Sequence, residues 1–287
     1  MQQNGAIVAG YDGSAEALAA VRWAAHHANL RDCALHVVHC SLWPLLTRKL
    51  GPVPGIADSG LERSAQAILA EGVAAAKAAM PGLEVEGTLL HGLPASYLAR
   101  ISDGQAMVAV GSRGLGGFLG LLVGSVSLEL AATATCPVAV IRPDMNPAGP
   151  VIVAVDGSGS PTALEDACVM ASVSQAALSV IHVQHTPAGY LQKDPTGAPT
   201  AQSGAEEVLA AAVIRARALA PGIPVDGAVL VGRSIPHAIL TASMHARILV
   251  VGTKGHGFLR ETIGSTAHAV LHHARGPVLI SRRGTEQ

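Results

Sequence analysis

Short apolar, β-branched runs alternate along the chain with longer segments rich in Ala and Leu. In the first half the runs predict strands near 6–11, 34–40, 84–90, 106–110 and 137–141, and the longer segments predict helices near 15–30, 61–80, 94–103 and 125–135. Regular alternation of strand and helix is the pattern of βαβ units, which build a parallel sheet. Met107, Val108, Ala109 and Val110 are apolar at every position, as expected where helices cover both faces of the sheet. Stretches 41–60 and 184–204 are rich in Pro and Gly and read as long loops after the second strand of each half, suited to a lid or to plain mobility.

The whole pattern occurs twice. AIVAGYDGS at 6–14 returns as VIVAVDGS at 151–158, LHVVHC at 35–40 as LSVIHV at 178–183, and VAVGSRG at 108–114 as LVVGTKG at 249–255. Gly124 and Ser125 return as Gly264 and Ser265, and CPVAVI at 136–141 as GPVLI at 276–280. The offsets are 144 for the aspartates, 141 for the first loop glycines and 140 for the prolines, so order and spacing both persist. A unit of roughly 140 residues is therefore duplicated. The expected domains are 1–143 and 150–287, joined by a Pro- and Gly-dense linker at about 143–150. The expected fold class is α/β: two tandem doubly wound domains, each with a five-stranded parallel sheet of order 3-2-1-4-5.

Composition narrows the partners. Lys and Arg number 19 against 20 Asp and Glu, a net charge of -1, so no basic field exists to drive binding to nucleic acid or to an anionic membrane. With 49% apolar residues, 14% charged and a mean hydropathy of +0.40, the chain buries enough surface to fold as globular domains. No apolar run reaches the 18 or so residues of a membrane span. The first residues carry no basic region leading into a signal-type segment, and Cys33, Cys40, Cys136 and Cys168 form no CxxC pair. A reducing, cytoplasmic location is expected.

Two loops carry candidate chemistry. A buried strand runs into Gly111-Ser112-Arg113-Gly114, then Gly116 and Gly117, and a helix is predicted to start at Gly124-Ser125. Glycines allow positive φ and close backbone approach, and a helix N-terminus favours an anion. A phosphate site is implied; the plainer reading is a flexible turn with Ser125 as a cap. The recurrence of the loop in the second half favours function. Asp12, with Gly13 and Ser14, ends the first strand. Asp-Gly-Ser is ordinary chemistry for starting a helix, yet strands 1 and 4 flank the switch point in a 3-2-1-4-5 sheet, so Asp12 and the Gly111 loop would face one crevice. A carboxylate there suits ribose hydroxyls or a divalent cation.

Gly111-x2-Gly114-x9-Gly124-Ser125, with Asp12 and LHVVHC at 35–40, resembles the ATP-binding group of universal stress proteins, of the UspA-like type, in its tandem two-domain form. The resemblance covers nearly the whole chain. It implies the adenine nucleotide alpha hydrolase-like fold and ATP as ligand, with or without Mg. It implies that Gly10 and Asp12 meet ribose and phosphate, that Cys40 meets adenine through its main chain, and that Gly111 to Gly117 with Gly124, Ser125 and Val126 hold the phosphates. The last strands are implied to pair between domains, and the tandem chains to form homodimers.

In the second half the matching positions are Ala154, Asp156, Val183, Gly252, Thr253, Lys254, Gly255, Gly257, Gly264, Ser265 and Thr266. Eight residues rather than nine separate Gly255 from Gly264, and Ala154 replaces Gly10, so a methyl crowds an approaching nucleotide and weaker binding is expected. Arg113 and Lys254 share a loop position from which a cation reaches an outer phosphate or simply faces solvent. His268 and His272 stand i,i+4 on the last predicted helix with no third ligand at suggestive spacing, so no metal site is expected. His39 and His182 read as core or near-core groups.

GxxxxGK[ST], GxSxG and HExxH are all absent, and nothing nominates a catalytic residue. The expected function is a nucleotide-dependent regulator of stress response or growth that binds ATP with little or no hydrolysis, through a downstream protein partner the sequence does not identify. The alternatives are an adenine-nucleotide hydrolase or transferase, and a partner-docking scaffold with vestigial sites.

Overall fold

The computed structural model describes residues 5–42, 60–114, 123–186, 201–253 and 263–282. The chain divides into two units between Pro143 and Asp144. The first contains β1 (Ile7–Gly10), α1 (Ala15–Leu30), β2 (Leu35–Ser41), α2 (Gly60–Ala79), β3 (Val85–His91), α3 (Pro94–Ile101), β4 (Met107–Gly111), α4 (Ser125–Thr133) and β5 (Val138–Ile141). The second contains β6 (Val151–Val155), α5 (Pro161–Ser174), β7 (Leu178–His185), α6 (Ala201–Leu219), β8 (Val225–Gly232), α7 (Ile235–Ala242), β9 (Ile248–Gly252), α8 (Ser265–His273) and β10 (Val278–Ser281).

Within the first unit the strands lie in the order β3-β2-β1-β4-β5, all parallel. Within the second the corresponding order is β8-β7-β6-β9-β10, again parallel. Each is the predicted doubly wound 3-2-1-4-5 sheet. Ile7, Val8 and Ala9 are fully buried, as are Met107, Val108 and Ala109 beside them, because helices cover both faces of these central strands. β1 pairs with β2 through Gly10 and Val38 and with β4 through Ala9 and Ala109. The chain direction across the sheet reverses there, and a crevice opens beyond the strand ends.

Small side chains set the spacing around that crevice. α1 lays Ala17, Ala20, Ala24 and Ala28 against the sheet, each at most 4% exposed. The approach is so close at its first turn that a Cβ on Gly111 would stand 2.7 Å from the Glu16 carbonyl carbon and 2.8 Å from Ala17 N. Glycine at 111 is thus required by the packing of β4 on α1.

Of the predicted linker 143–150, residues 144–150 belong to the second unit. Asn146 donates to the His245 carbonyl at 2.7 Å, and Arg247 N donates to the Pro150 carbonyl at 2.8 Å. The predicted long loops at 41–60 and 184–204 lie largely outside the described residues; Ser41, Gly60 and residues 184–185 and 201–204 fall within strands or helices. No helix among the described residues is long and apolar enough to cross a membrane.

Candidate functional site

A cleft of about 730 Å3 opens at the switch point of the first unit. Gly10, Asp12, Cys40, Gly111, Arg113, Gly114, Gly124, Ser125 and Val126 all line it, so residues separated by more than a hundred positions meet around one space. Gly116 and Gly117 lie outside the described residues.

At the end of β1, Asp12 plays a local part first. Its Oδ1 accepts from Ser14 N at 3.0 Å and from Ser14 Oγ at 2.6 Å, while Ser14 Oγ accepts from Ala17 N at 3.2 Å and caps α1. The turn needs Gly13, whose φ is +88°. Oδ2 points the other way, toward the β4 loop: a Cβ on Gly114 would stand 2.3 Å from it. The plain helix-start role and the site-facing role are therefore divided between the two oxygens of one carboxylate. Gly114 is outside the left-handed region, so of the two reasons for a loop glycine, positive φ and close approach, only close approach remains. A Cβ there would displace the Asp12 carboxylate.

The opposite wall is the start of α4. Gly124 is the N-cap, with φ -78°, ψ 156° and no side-chain cap. Its N–H donates to Ser112 O at 2.7 Å, and the first intrahelical bond runs from Leu128 N to Gly124 O. The N–H groups of Ser125, Val126 and Ser127 precede that ladder, and all three residues line the cleft. Together with the helix dipole they make an anion-binding end. Ser127 was missed by sequence reasoning. Its Oγ donates to Gly111 O at 2.9 Å in a buried bond that ties α4 to β4; its counterpart by spacing, Ala267, has no hydroxyl, so the repeat carried no signal for it. Ser112 is 3% exposed and braces the loop through its backbone without lining the cleft.

Arg113 reaches Glu16 on α1, Nη2 to Oε1 at 2.9 Å, with side chains 47% and 20% exposed. Arg142 is buried just after β5. Burial, and behind it the charge of Arg113, lower its guanidinium to about 10, so at neutral pH it remains a cation near the loop. The cleft's far side is more apolar, with Val38, Leu61, Ala65, Ile68 and Leu98. A Cβ on Gly10 would meet Leu98 Cδ1 and Val110 Cγ1 at 3.2 Å each, so its absence leaves the floor open. Burial raises the Cys40 thiol to about 11 and, aided by Glu71, the Tyr11 hydroxyl to about 12. Neither is an anion at neutral pH. His39 is buried as expected, yet it also forms part of the wall.

The second unit repeats the frame with changes. Gly264 N donates to Thr253 O at 2.8 Å, matching the Gly124 bond to Ser112, and Gly264 caps α8 ahead of Ser265 and Thr266. Val183 is buried in β7, and Gly252 ends β9. Asp156 differs from Asp12. Its Oδ1 accepts from Ser158 N at 2.9 Å, Ser158 Oγ at 2.5 Å and Ser160 Oγ at 3.1 Å. The turn runs through Gly159 and Ser160, both at positive φ, and α5 starts two residues later than the repeat spacing of α1 implies. Ala154 sits at the Gly10 position in β6. Lys254, Gly255 and Gly257 lie outside the described residues. The His268 and His272 ring centroids lie 4.5 Å apart with the rings tilted by 42°; among the described residues no group of three or more His, Cys, Asp and Glu gathers that could hold a metal ion.

The comparisons with known proteins give the family and the fold. The universal stress protein family model matches twice, over residues 4–142 and 148–282. A universal stress protein of Mycobacterium tuberculosis is 33% identical over 293 residues, covering 98% of both chains; a second from that organism is 30% identical over 289 residues, covering 96% of both. The crystal structure of a universal stress protein from Archaeoglobus fulgidus matches the fold with a TM-score of 0.71 at 24% identity, covering 99% of this chain and 98% of that one. With its duplicated unit and full-length relatives, the chain belongs to the universal stress protein family.

Proposed function

We propose that the first unit binds an adenine nucleotide, ATP, and that the protein acts as a nucleotide-dependent regulator with little or no hydrolysis. The observation that carries this reading is the polarity of one cleft: free helix N–H groups of α4 at one end, an apolar wall from β2, α2 and α3 at the other, and Asp12 between them. A nucleotide has the same layout of anion, ribose and flat base. The phosphates would lie on Ser125, Val126 and Ser127, with Arg113 within reach of the outer ones. Asp12 would take ribose hydroxyls or hold Mg between itself and the phosphates, since Mg is usually bound by one or two carboxylates plus phosphate oxygens.

Among the described residues, the titratable groups of the cleft are Tyr11, Asp12, His39, Cys40 and Arg113. Tyr11 and Cys40 hold their protons, Arg113 is cationic, and Asp12 Oδ1 is engaged with Ser14. With His39 on β2, two strands from β4 and so remote from the phosphate end, this set supports binding over turnover. The four free cysteines suit a reducing cytoplasm, and the net charge of -1 argues against nucleic acid. Membership of the family is the support for homodimers, which light scattering tests.

Mass spectrometry of small molecules released from purified, heat-denatured protein tests the ligand. An adenine nucleotide in near-stoichiometric amount is expected; an empty pocket at millimolar ATP would overturn the reading. Phosphate release far below the roughly 10 per second of a typical enzyme is expected, and faster turnover abolished by Asp12→Ala would replace a regulator with an enzyme.

A further inference from the structure

His39 sits in β2, 7% exposed, on the cleft wall beside Cys40. Its Nδ1 lies 2.8 Å from the Tyr11 carbonyl oxygen. A carbonyl only accepts, so Nδ1 carries the proton, and in the neutral ring Nε2 is a bare acceptor. Among the described residues Nε2 has no hydrogen-bond partner, and His39 is one of the residues that line the cleft. The second half repeats the lock, with His182 Nδ1 2.9 Å from the Val155 carbonyl oxygen.

We propose that His39 Nε2 selects the base, accepting a hydrogen bond from the 6-amino group of a purine and rejecting 6-oxo purines. The assignment rests on the nucleotide reading of the cleft. Location decides which part of the ligand it meets. β2 is two strands from β4 in the sheet, about 10 Å at the usual strand spacing, so His39 is remote from the phosphate end. The same cleft is lined by Val38, Ala65 and Ile68, apolar company for a flat base. An acceptor fixed by the Tyr11 carbonyl satisfies an amino donor. Facing a 6-oxo group it would set lone pair against lone pair and leave both unpaired in a confined space, the situation that gives polar sites their discrimination.

The test compares ATP with inosine triphosphate, which carries a 6-oxo group, by calorimetry on the full chain. Unaltered protein should favour ATP by at least about fivefold. His39→Asn places an amide N–H where Nδ1 stands and so keeps the Tyr11 bond, but stops short of Nε2. It should weaken ATP about 5- to 15-fold and leave inosine triphosphate unchanged, bringing the ratio toward one. A ratio unchanged in His39→Asn, or an equal loss for both nucleotides, would reduce His39 to a clip for the β1 end.

The unaltered protein labelled with 15N-histidine gives an independent measure. The bare Nε2 resonance of His39 should move upfield with ATP and stay with inosine triphosphate; equal movement with both, or none with ATP, would overturn the assignment. Tight binding of both nucleotides with no preference refutes the base selection alone, whereas failure to bind either refutes the nucleotide reading with it.

Discussion

Gly114 and Asp12 fit together so closely that the hydrogen replacing a Cβ at 114 is what leaves room for Oδ2 of the carboxylate, 2.3 Å from where that carbon would be. Gly114→Ala should therefore push Asp12 out of line and lower ATP affinity about tenfold. The same change made in an Asp12→Ala background should cost far less, because the clashing group is gone. A calorimetric double-mutant cycle checks this; additive losses would mean that Gly114 acts on the ligand directly.

In the proposed complex Glu16 would compete with the phosphates for Arg113, with which it pairs at 2.9 Å. The pair is half in solvent on the arginine side and so worth only about 0.2 to 1 kcal/mol. Glu16→Gln should raise affinity for ATP up to about fivefold at low salt, with less gain for AMP, whose phosphate is nearest the ribose. Equal gains for both would place Arg113 away from the outer phosphates.

Burial keeps the Cys40 thiol protonated up to about 11, against an ordinary value near 9. The folded state therefore binds this proton more tightly than the unfolded chain. The stability linked to it is complete below pH 9 and is lost as pH rises toward 11. At pH 7.5 alkylation of Cys40 should be slow, and saturating ATP should slow it further. Mapping labelled peptides with and without ATP measures both effects; rapid labelling indifferent to ATP would take Cys40 out of the occupied cleft.

The two halves should be unequal. Asp156 spends Oδ1 on three donors, Ala154 adds a methyl where Gly10 has none, and the Gly255–Gly264 spacing is one residue short. Asp12→Ala should weaken the tighter site about 5- to 150-fold, whereas Asp156→Ala should leave that site unchanged. Titration of the full chain and each variant decides between them, and a tighter site lost with Asp156 would reverse the order.

Much of this was legible in the sequence because each βαβ unit is local. The α1 limits of 15–30 match Ala15–Leu30, and the strand estimates fall within a residue or so of those observed. α3 stops at Ile101, short of the expected 103, where Ser102 Oγ turns back to Ala99 O at 2.6 Å and takes the Thr135 N–H at 2.9 Å. The site glycines showed themselves by spacing and by repetition. Contacts between distant residues did not. The Glu16 pair with Arg113 spans 97 positions and the Ser127 bond to Gly111 spans 16, and neither leaves a periodic trace. His39 was read as core or near-core because a strand position gives no hint that the residue also lines a cleft. At Gly114 the letter alone left positive φ and close approach both open, since each selects glycine, and only the structure separates them.

Gly111 and Gly124 look alike as letters but constrain inheritance differently. A side chain at 111 would drive into the backbone of α1 at 2.7 to 2.9 Å, whereas one at 124 would meet the nearest atom among the described residues, Ser112 O, at an ordinary 3.6 Å. Mutation at 111 is thus purged by misfolding before any effect on a ligand is tested. A Cβ at 124 meets the described residues only at van der Waals distance. A substitution at 111 therefore probes the packing of β4 on α1, whereas one at 124 probes the mouth of the cleft.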